Sequence, residues 1–312
     1  MTSPSPFDEH GLQYAWNSTS IKLTQECLYK YKLTMIDGWQ VEGLSMHLRF
    51  GLHYASALEN FHKAIADGVS RENAIEDVVA DAMIVTWDYE VDDEGVAIPD
   101  TGWPWETCDS AKNRPNLIRS IIWYLDHFTD DAAKTVILAD GSAAVEHSII
   151  LPVDNDLLFT GHLDRVVEYA HNPYIQDQKT TKSTISQRYF EGYSPDTQMS
   201  MYTFLGKASL AIPIHGVMID AAQIAVGFTR FERGFTFRSA SQLNEWYDNT
   251  MLDIERARTA TKENHFPMNP TACSNYGGCM YRRACSRSPE VREQFLKADY
   301  VQGTAMNPLE IR

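Results

Sequence analysis

The stretch GHLDRVVEYAHNPYIQDQKT, residues 161–180, decides the fold. It holds two runs of β-branched, aromatic and apolar residues around a polar turn, the pattern of a β-hairpin. A turn at about Ala170 to Asn172 sets Asp164 on one strand opposite Asp177 on the other. Opposed residues lie about 4.5–5.5 Å apart at Cβ, where like charges destabilise the pair. Because side chains alternate along a strand, Asp177 and Lys179 project to the same face, so a cation stands beside the two acids. The strand carrying Asp164 is otherwise apolar (Leu157, Leu158, Phe159, Leu163, Val166, Val167) and so belongs to a core sheet, and Gly161 permits close approach of another backbone or of a ligand. Two accounts remain open at this point: a surface hairpin with solvated charges, and a carboxylate pair whose repulsion a divalent ion relieves.

Outward from the hairpin, the runs TVILAD and AAVEHSIIL precede it from residue 135 and extend it to an antiparallel meander. SPDTQMSMYTFLGKASLA follows as a helix with Ser194 at the N-cap and Pro195 at the first helical position. Gln198 and Tyr202, four apart, share one face of that helix; taken alone they read as polar helix surface. Further strands fall near 216–238, a helix at 241–263, and a Cys-bearing loop after it. Ahead of the sheet, STSIKLTQECLYKYKL reads as a helix opened by a Ser or Thr cap. Residues 51–66 place Leu58, Phe61 and Ile65 at helical spacing, with His53 on a neighbouring face, where a histidine is ordinarily a satisfied core or surface residue. Helical patterns recur at 70–87 and 114–128.

The 312 residues are 44% hydrophobic, ordinary for a globular chain. No basic, apolar, small-residue signal pattern is present in MTSPSPFDEH, and the longest apolar stretch, residues 209–228, is broken by Pro213, His215, Asp220 and Gln223; both argue for a cytosolic protein that does not enter a membrane. The 27 Lys and Arg against 42 Asp and Glu give a net charge of −15, which repels nucleic acid if spread evenly. Acid concentrates at residues 88–109, while Lys22, Lys30, Lys32, Lys179, Lys182, Arg188, Arg282, Arg283 and Arg287 gather near the segments named here, which leaves room for a local basic groove. Of five cysteines, an odd number, three (Cys273, Cys279, Cys285) cluster in CSNYGGCMYRRAC, which suggests metal or cluster ligation rather than a disulfide framework. FLGKAS holds a Gly-Lys pair, but Met201 occupies the place of the first glycine of a P-loop, so no ATP-driven motor is encoded.

Six features in order resemble the PD-(D/E)XK nuclease superfamily, and within it the RecB-like and CRISPR-associated nucleases with an iron-sulfur cluster. They are S-x-S-x-x-x-x-x-x-C at Ser18 to Cys27, G-x-H at Gly51 to His53, G-x-x-D at Gly161 to Asp164, D-x-K at Asp177 to Lys179, Q-x-x-x-Y at Gln198 to Tyr202, and the three late cysteines. The resemblance implies an α/β restriction-endonuclease-like core, a mixed central sheet flanked by helices, with a helical lobe and an iron-sulfur C-terminal segment. It implies one domain over 1–312: an N-terminal helical part at 18–130, a catalytic sheet and helix at 135–240, and a C-terminal helix and Cys-cluster segment at 241–312. It further implies that His53, Asp164, Asp177 and the carbonyl of Gln178 hold Mg²⁺ or Mn²⁺, that Lys179 positions or helps deprotonate the attacking water, and that Gln198 and Tyr202 orient the lysine and the nucleic-acid backbone. Cys27, Cys273, Cys279 and Cys285 would ligate a [4Fe-4S] cluster; Cys108 has no partner. The C-x5-C-x5-C spacing, and Leu28 where the family commonly has proline, depart from that pattern and keep a four-Cys zinc site as the competitor. The implied activity is metal-dependent hydrolysis of DNA, exonucleolytic on single-stranded or frayed ends, serving recombination, repair or CRISPR adaptation in a cell or a phage. The rival readings are a catalytically silent DNA-binding scaffold with the nuclease fold and a zinc-stabilised structural protein.

Overall fold

The computed structural model describes residues 4–311 apart from 44, 93, 95, 97, 99, 100, 155, 304 and 305; Asp93 and Asp100 of the acidic stretch thus lie outside the described residues. In chain order the elements begin with β1 (Ala15–Trp16), α1 (Ser18–Glu26), α2 (Leu28–Tyr31), a π-helical turn (Lys32–Ile36) and β2 (Trp39–Gln40). A helical lobe follows: α3 (Met46–Ala66), α4 (Arg71–Val85), the small hairpin β3 (Trp87–Asp88) and β4 (Trp103–Pro104), and α5 (Arg114–His127). The sheet then forms from β5 (Lys134–Thr135), β6 (Val145–Asp154), β7 (Leu157–Tyr169) and β8 (Asn172–Thr181). After α6 (Gln187–Glu191) and α7 (Thr197–Ser209) come β9 (Gly216–Ile224), β10 (Thr229–Thr236) and α8 (Ala240–Lys262). A 3-10 segment (Pro270–Gly277), α9 (Arg282–Cys285), α10 (Pro289–Asp299) and β11 (Val301–Gln302) complete the chain.

One seven-stranded mixed sheet runs β1-β7-β8-β9-β10, with β5 and β6 also paired to β7. The antiparallel meander expected from the sequence exists as β6-β7-β8, but β8 pairs with β9 in parallel, joined through α7, and β1 adds in parallel to β7. A parallel neighbour needs a crossover, and the helix between residues 181 and 216 provides it. All nine residues of β9 are buried, as befits an interior strand covered on both faces.

Two apolar layers cover the sheet. On one side α1, α7 and α8 pack Ile21, Met199, Leu205, Ile254 and Ala257 against Phe159, Leu163, Ile175 and Ile219. On the other, α3, α4 and α5 pack Tyr54, Leu58, Val78, Leu117 and Tyr124 with Ala222 and Ile224 of β9. Behind this second layer is a buried polar clamp. Asp220 accepts from Tyr124 Oη at 2.6 Å, from Arg233 Nε at 3.1 Å and from the Gln176 amide, while Arg233 also pairs with Asp131 at 2.6 Å. Arg165 reaches the Gln176 side chain at 3.0 Å, so the strands that carry the two aspartates are fastened from behind.

Three local expectations are corrected. The first helix is capped by Asn17, whose side chain accepts the Ser20 N–H in a reciprocal capping box, and not by Ser or Thr. Asn is as good an N-cap as Ser, and Ser20 completes the box, so the cap moves one residue earlier. The helix before β9 is capped by Asp196, which accepts the Met199 N–H; Ser194 and Pro195 precede it, joined by a cis peptide. The Cys-bearing loop is partly helical: Cys273 lies in the 3-10 turn and Cys285 in α9, with Cys279 in the irregular connection between them. Among the described residues no helix is long and apolar enough to cross a membrane.

Candidate active site

The β7–β8 ladder has the register predicted from the sequence: Arg165 faces Gln176 and Tyr169 faces Asn172, so one step further along both strands brings Asp164 level with Asp177. The turn is the two residues Ala170 and His171, both at positive φ (49° and 63°). Asp164 Oδ2 accepts the backbone N–H of Gln178 at 2.8 Å, which pins that carboxylate against the partner strand. Asp177 is 1% exposed, and its Oδ2 lies 2.6 Å from Lys179 Nζ. That contact is an ion pair within one strand. The Asp177–Lys179 shared face is thus present as alternation requires.

Electrostatics mark the pair. Burial, then the negative charge of Asp177, push the Asp164 carboxyl up to about 7, against the opposing pull of Lys179. Burial likewise raises Asp177, while Lys179 opposes the shift. Burial alone would lower the Lys179 ammonium, but Asp177 and Asp164 together hold it above its usual value, so it stays charged. Burial first, and the neighbouring acid second, bring this carboxyl close to half-protonation near neutrality.

The expected neighbours on α7 are in place. Gln198 Nε2 donates to Tyr202 Oη at 3.0 Å. Tyr202 is buried, and burial followed by the charges of Asp164 and Asp177 raises its phenol well above 10, so it stays a protonated donor beside the acids. Gly161 explains the close approach: a Cβ there would sit 2.7 Å from Leu205 Cδ1 and 3.7 Å from Tyr202 Cε1. The gap that glycine leaves is filled by α7.

Other predicted residues are placed differently. The Gln178 side chain turns to the opposite face, where its Nε2 donates to Tyr124 Oη at 3.4 Å, while its backbone adjoins Asp164. His53 lies on the flank of α3, its ring 6.2 Å from that of Trp105, and its pKa is lowered by burial and by Arg49, with Asp88 opposing. The same helix approaches β8, where a Cβ at Gly51 would sit 3.6 Å from Thr180 Oγ1. Among the described residues no three His, Cys, Asp or Glu side chains are grouped so as to hold a metal ion as they stand. The basic groove is largely self-neutralised: Lys22 pairs with Asp196, Lys30 with Glu26, Lys32 with Asp37, Lys182 with Asp109 and Arg283 with Asp299.

Sequence reasoning missed Tyr189 and Tyr193, whose hydroxyls lie 2.9 Å apart, with Tyr189 close enough to feel the charges of Lys179 and Asp177. Their spacing of four was the available signal. It also missed Lys22 and Asp196, which both act on Asp177, and no local pattern could have found that link between α1 and the cap of α7.

The four family-matching cysteines converge on one place. Cys27, Cys273, Cys279 and Cys285 all line a single narrow cavity with Glu26, Lys30, Met268, Asn269, Ala272 and Tyr281. Cys27 stands where α1 breaks off, and its Sγ accepts the Asn269 N–H at 3.4 Å. Gly277 and Gly278, at φ 89° and 106°, turn the chain back so that the Cys279 N–H reaches the Cys273 carbonyl at 3.0 Å. All five cysteines are free thiols; Cys108 is exposed elsewhere. In number and kind the four donors fit a thiolate-held group, although their side chains do not converge on one ion as they stand. Burial raises the Cys279 thiol and pushes Cys285 up to about 11, so both carry protons at neutral pH.

A family model described as the PD-(D/E)XK nuclease superfamily matches residues 15–286. No curated protein matches the chain. Among solved structures it is similar to one from Eubacterium rectale described as a "Putative exonuclease", at 10% identity and a TM-score of 0.47, with 87% of this chain and 88% of that one covered.

Proposed function

The chain belongs to the PD-(D/E)XK nuclease superfamily, and from that premise we propose that it is a Mg²⁺- or Mn²⁺-dependent deoxyribonuclease of the RecB-like type. The observation that carries the reading is the meeting of Asp164, Asp177 and Lys179: an amide-pinned carboxylate, a buried carboxylate, and an ammonium 2.6 Å from the latter. The donor set fits a hard dication in kind, because both oxygen donors are carboxylates and burial, then the charge of Asp177, leave Asp164 short of compensating positive charge. Such an ion supplies Lewis acidity toward the phosphate and lowers the pKa of a bound water.

The chain's own groups do the rest. The Gln178 N–H fixes the Asp164 carboxylate. Lys179, held as a cation by both acids, orients the attacking water and offsets negative charge growing on the phosphate. Tyr202, kept protonated, is a hydrogen-bond donor whose orientation Gln198 sets. We infer that His53 and the Gln178 carbonyl would complete the ion's ligands. The substrate we favour is single-stranded or frayed DNA degraded from an end, in recombination, repair or CRISPR adaptation. The four cysteines would hold a [4Fe-4S] cluster, with zinc as the competing occupant.

The test is digestion of end-labelled single- and double-stranded DNA with Mn²⁺. Asp164→Ala and Lys179→Ala each abolish degradation while circular dichroism stays that of the parent protein. Unchanged activity in either variant refutes the site.

A further inference from the structure

Lys112 belongs to no motif and lies in the connection between β4 and α5, yet its side chain ends on the strand that carries Asp177 and Lys179. It is 4% exposed and runs past Phe50 of α3, its Nζ 5.3 Å from the ring centre. The ammonium donates to Thr180 Oγ1 at 3.0 Å and to the Thr180 carbonyl at 3.3 Å. Thr180 follows Lys179 on β8 and by alternation points to the opposite face of the sheet, toward the helical lobe. Its hydroxyl is the atom that Gly51 of α3 approaches, so Lys112 and the helix that carries His53 meet on one side chain. The connection is itself fastened here. Asp109 Oδ1 accepts the N–H groups of Ala111 and Lys112 at 2.9 and 2.8 Å, and its Oδ2 pairs with Lys182 Nζ at 2.6 Å. The end of β8 is thus gripped at Thr180 and again two residues on, just beyond Lys179. Burying an ammonium among neutral oxygens is costly, and burial pulls this one down to about 8, with Asp109 opposing and Lys182 assisting. A methionine of similar length would fill the space without that cost. What the lysine adds is a directed hold on Thr180.

We propose that Lys112 is a positioning residue for the nuclease reaction: by holding Thr180 it sets where β8 presents Lys179 and how closely α3 stands to that strand. The inference rests on the nuclease reading of Asp164, Asp177 and Lys179. Lys112 acts through Thr180, from the other face of the sheet, so its effect falls on turnover and not on substrate binding. A misplacement of about 1 Å costs on the order of a hundredfold in rate.

The experiment is steady-state digestion of end-labelled single-stranded DNA by the full chain with saturating Mn²⁺, for the parent protein, Lys112→Met, Thr180→Val, the double variant and Lys179→Ala, with a thermal melt of each. Lys112→Met lowers kcat about tenfold or more while KM stays within about twofold. It melts within about 4 °C of the parent, because two bonds to neutral partners are lost while a buried charge is removed. Thr180→Val lowers kcat in the same way, and the double variant loses no more than the worse single one, since both changes break one contact. Parent-like kcat in Lys112→Met, a rise in KM alone, or losses that multiply in the double variant each overturn the role of Lys112; inactive Lys179→Ala then leaves the nuclease reading standing. Parent-like digestion by Lys179→Ala, or none by the parent protein, overturns both. Should Lys112→Met melt far below the parent, Thr180→Val decides: a loss of about tenfold in kcat from a normally melting protein supports the proposal, and parent-like kcat overturns it.

Discussion

Asp164 is where single-residue physics is most exposed, because its carboxyl is displaced from an ordinary value near 4 to about 7 by burial and by Asp177. In the metal-free protein the folded chain therefore keeps a proton at this site that the unfolded chain has already released. Between about pH 4 and pH 7 the native state binds more protons than the unfolded state, so stability falls as pH rises across that window. The contribution is full below the unfolded pKa and gone above the folded one. Melting temperatures of metal-free protein and of Asp164→Asn, taken from pH 4 to 7, check this: the parent loses stability relative to the variant as pH rises, and saturating Mn²⁺ removes the difference at pH 7. Parallel curves for the two proteins would show that Asp164 titrates normally. At this scale the sequence was legible wherever local periodicity decides the geometry. Asp177 and Lys179 share a face because strand side chains alternate, and Gln198 and Tyr202 meet because they are one helical turn apart. The approach of Lys22 and Asp196 to Asp177 was not legible, since it joins α1 to the cap of α7.

The hairpin is the element that makes the site, and its turn is less than ideal. A two-residue connection between paired strands calls for positive φ at both positions, for which Asn-Gly is the best-suited sequence, yet the chain uses Ala170 and His171. Each non-glycine residue in the left-handed region costs roughly 1–2 kcal/mol. Ala170→Asn with His171→Gly should therefore raise stability in urea denaturation by about 1–2 kcal/mol, part of the gain being lost to the greater freedom of the unfolded glycine. Nuclease activity should hold, because the turn lies at the far end of the hairpin from Asp177. A neutral or destabilising result would mean that the turn is set by contacts outside itself. The register itself was legible because the apolar face of β7 and the turn position fix it together. Less legible were the element ends and the parallel pairings. Asn17 and Asp196 cap helices where Ser or Thr was expected, since the side chain that reaches the free N–H groups is settled by the entering chain path. The β1 strand is two residues long and exists only through its bond to β7, so it leaves no periodic trace in the sequence.

Across the whole molecule, the distant ends of the sequence are fastened to each other, and the fastening has two layers. The first needs no metal: Leu33, Trp39, Tyr281, Ala284 and Leu296 form their own apolar cluster, Tyr281 Oη bonds both Thr34 and the Trp39 carbonyl, and β11 pairs with β2. Asn269 adds a bond to the Glu26 carbonyl at 2.8 Å. The second is the group of four cysteines around one cavity, with Cys27 from the first helix and the others from the C-terminal segment. The sequence supplied which cysteines belong together but not how the apolar cluster would pre-assemble them, because that packing joins residues far apart in the chain. Since the thiols of Cys279 and Cys285 are held protonated in the metal-free state, loading the site displaces protons and grows more favourable as pH rises. If the four cysteines hold the proposed cluster, Cys279→Ser should lower both bound iron and Tm, the latter by roughly 5 °C or more, given about 2–4 °C per kcal/mol in chains of comparable size. The apolar layer keeps the segment docked, so the sheet and its aspartates should stay folded. Cys108→Ser, on an exposed thiol away from the cavity, should change neither quantity. Iron and zinc analysis of anaerobically purified protein, run beside a thermal melt of all three, separates the outcomes. Zinc in the parent and none in Cys279→Ser would replace the cluster with a four-cysteine zinc site, whereas equal metal content in both cysteine variants would leave these thiols without a ligating role.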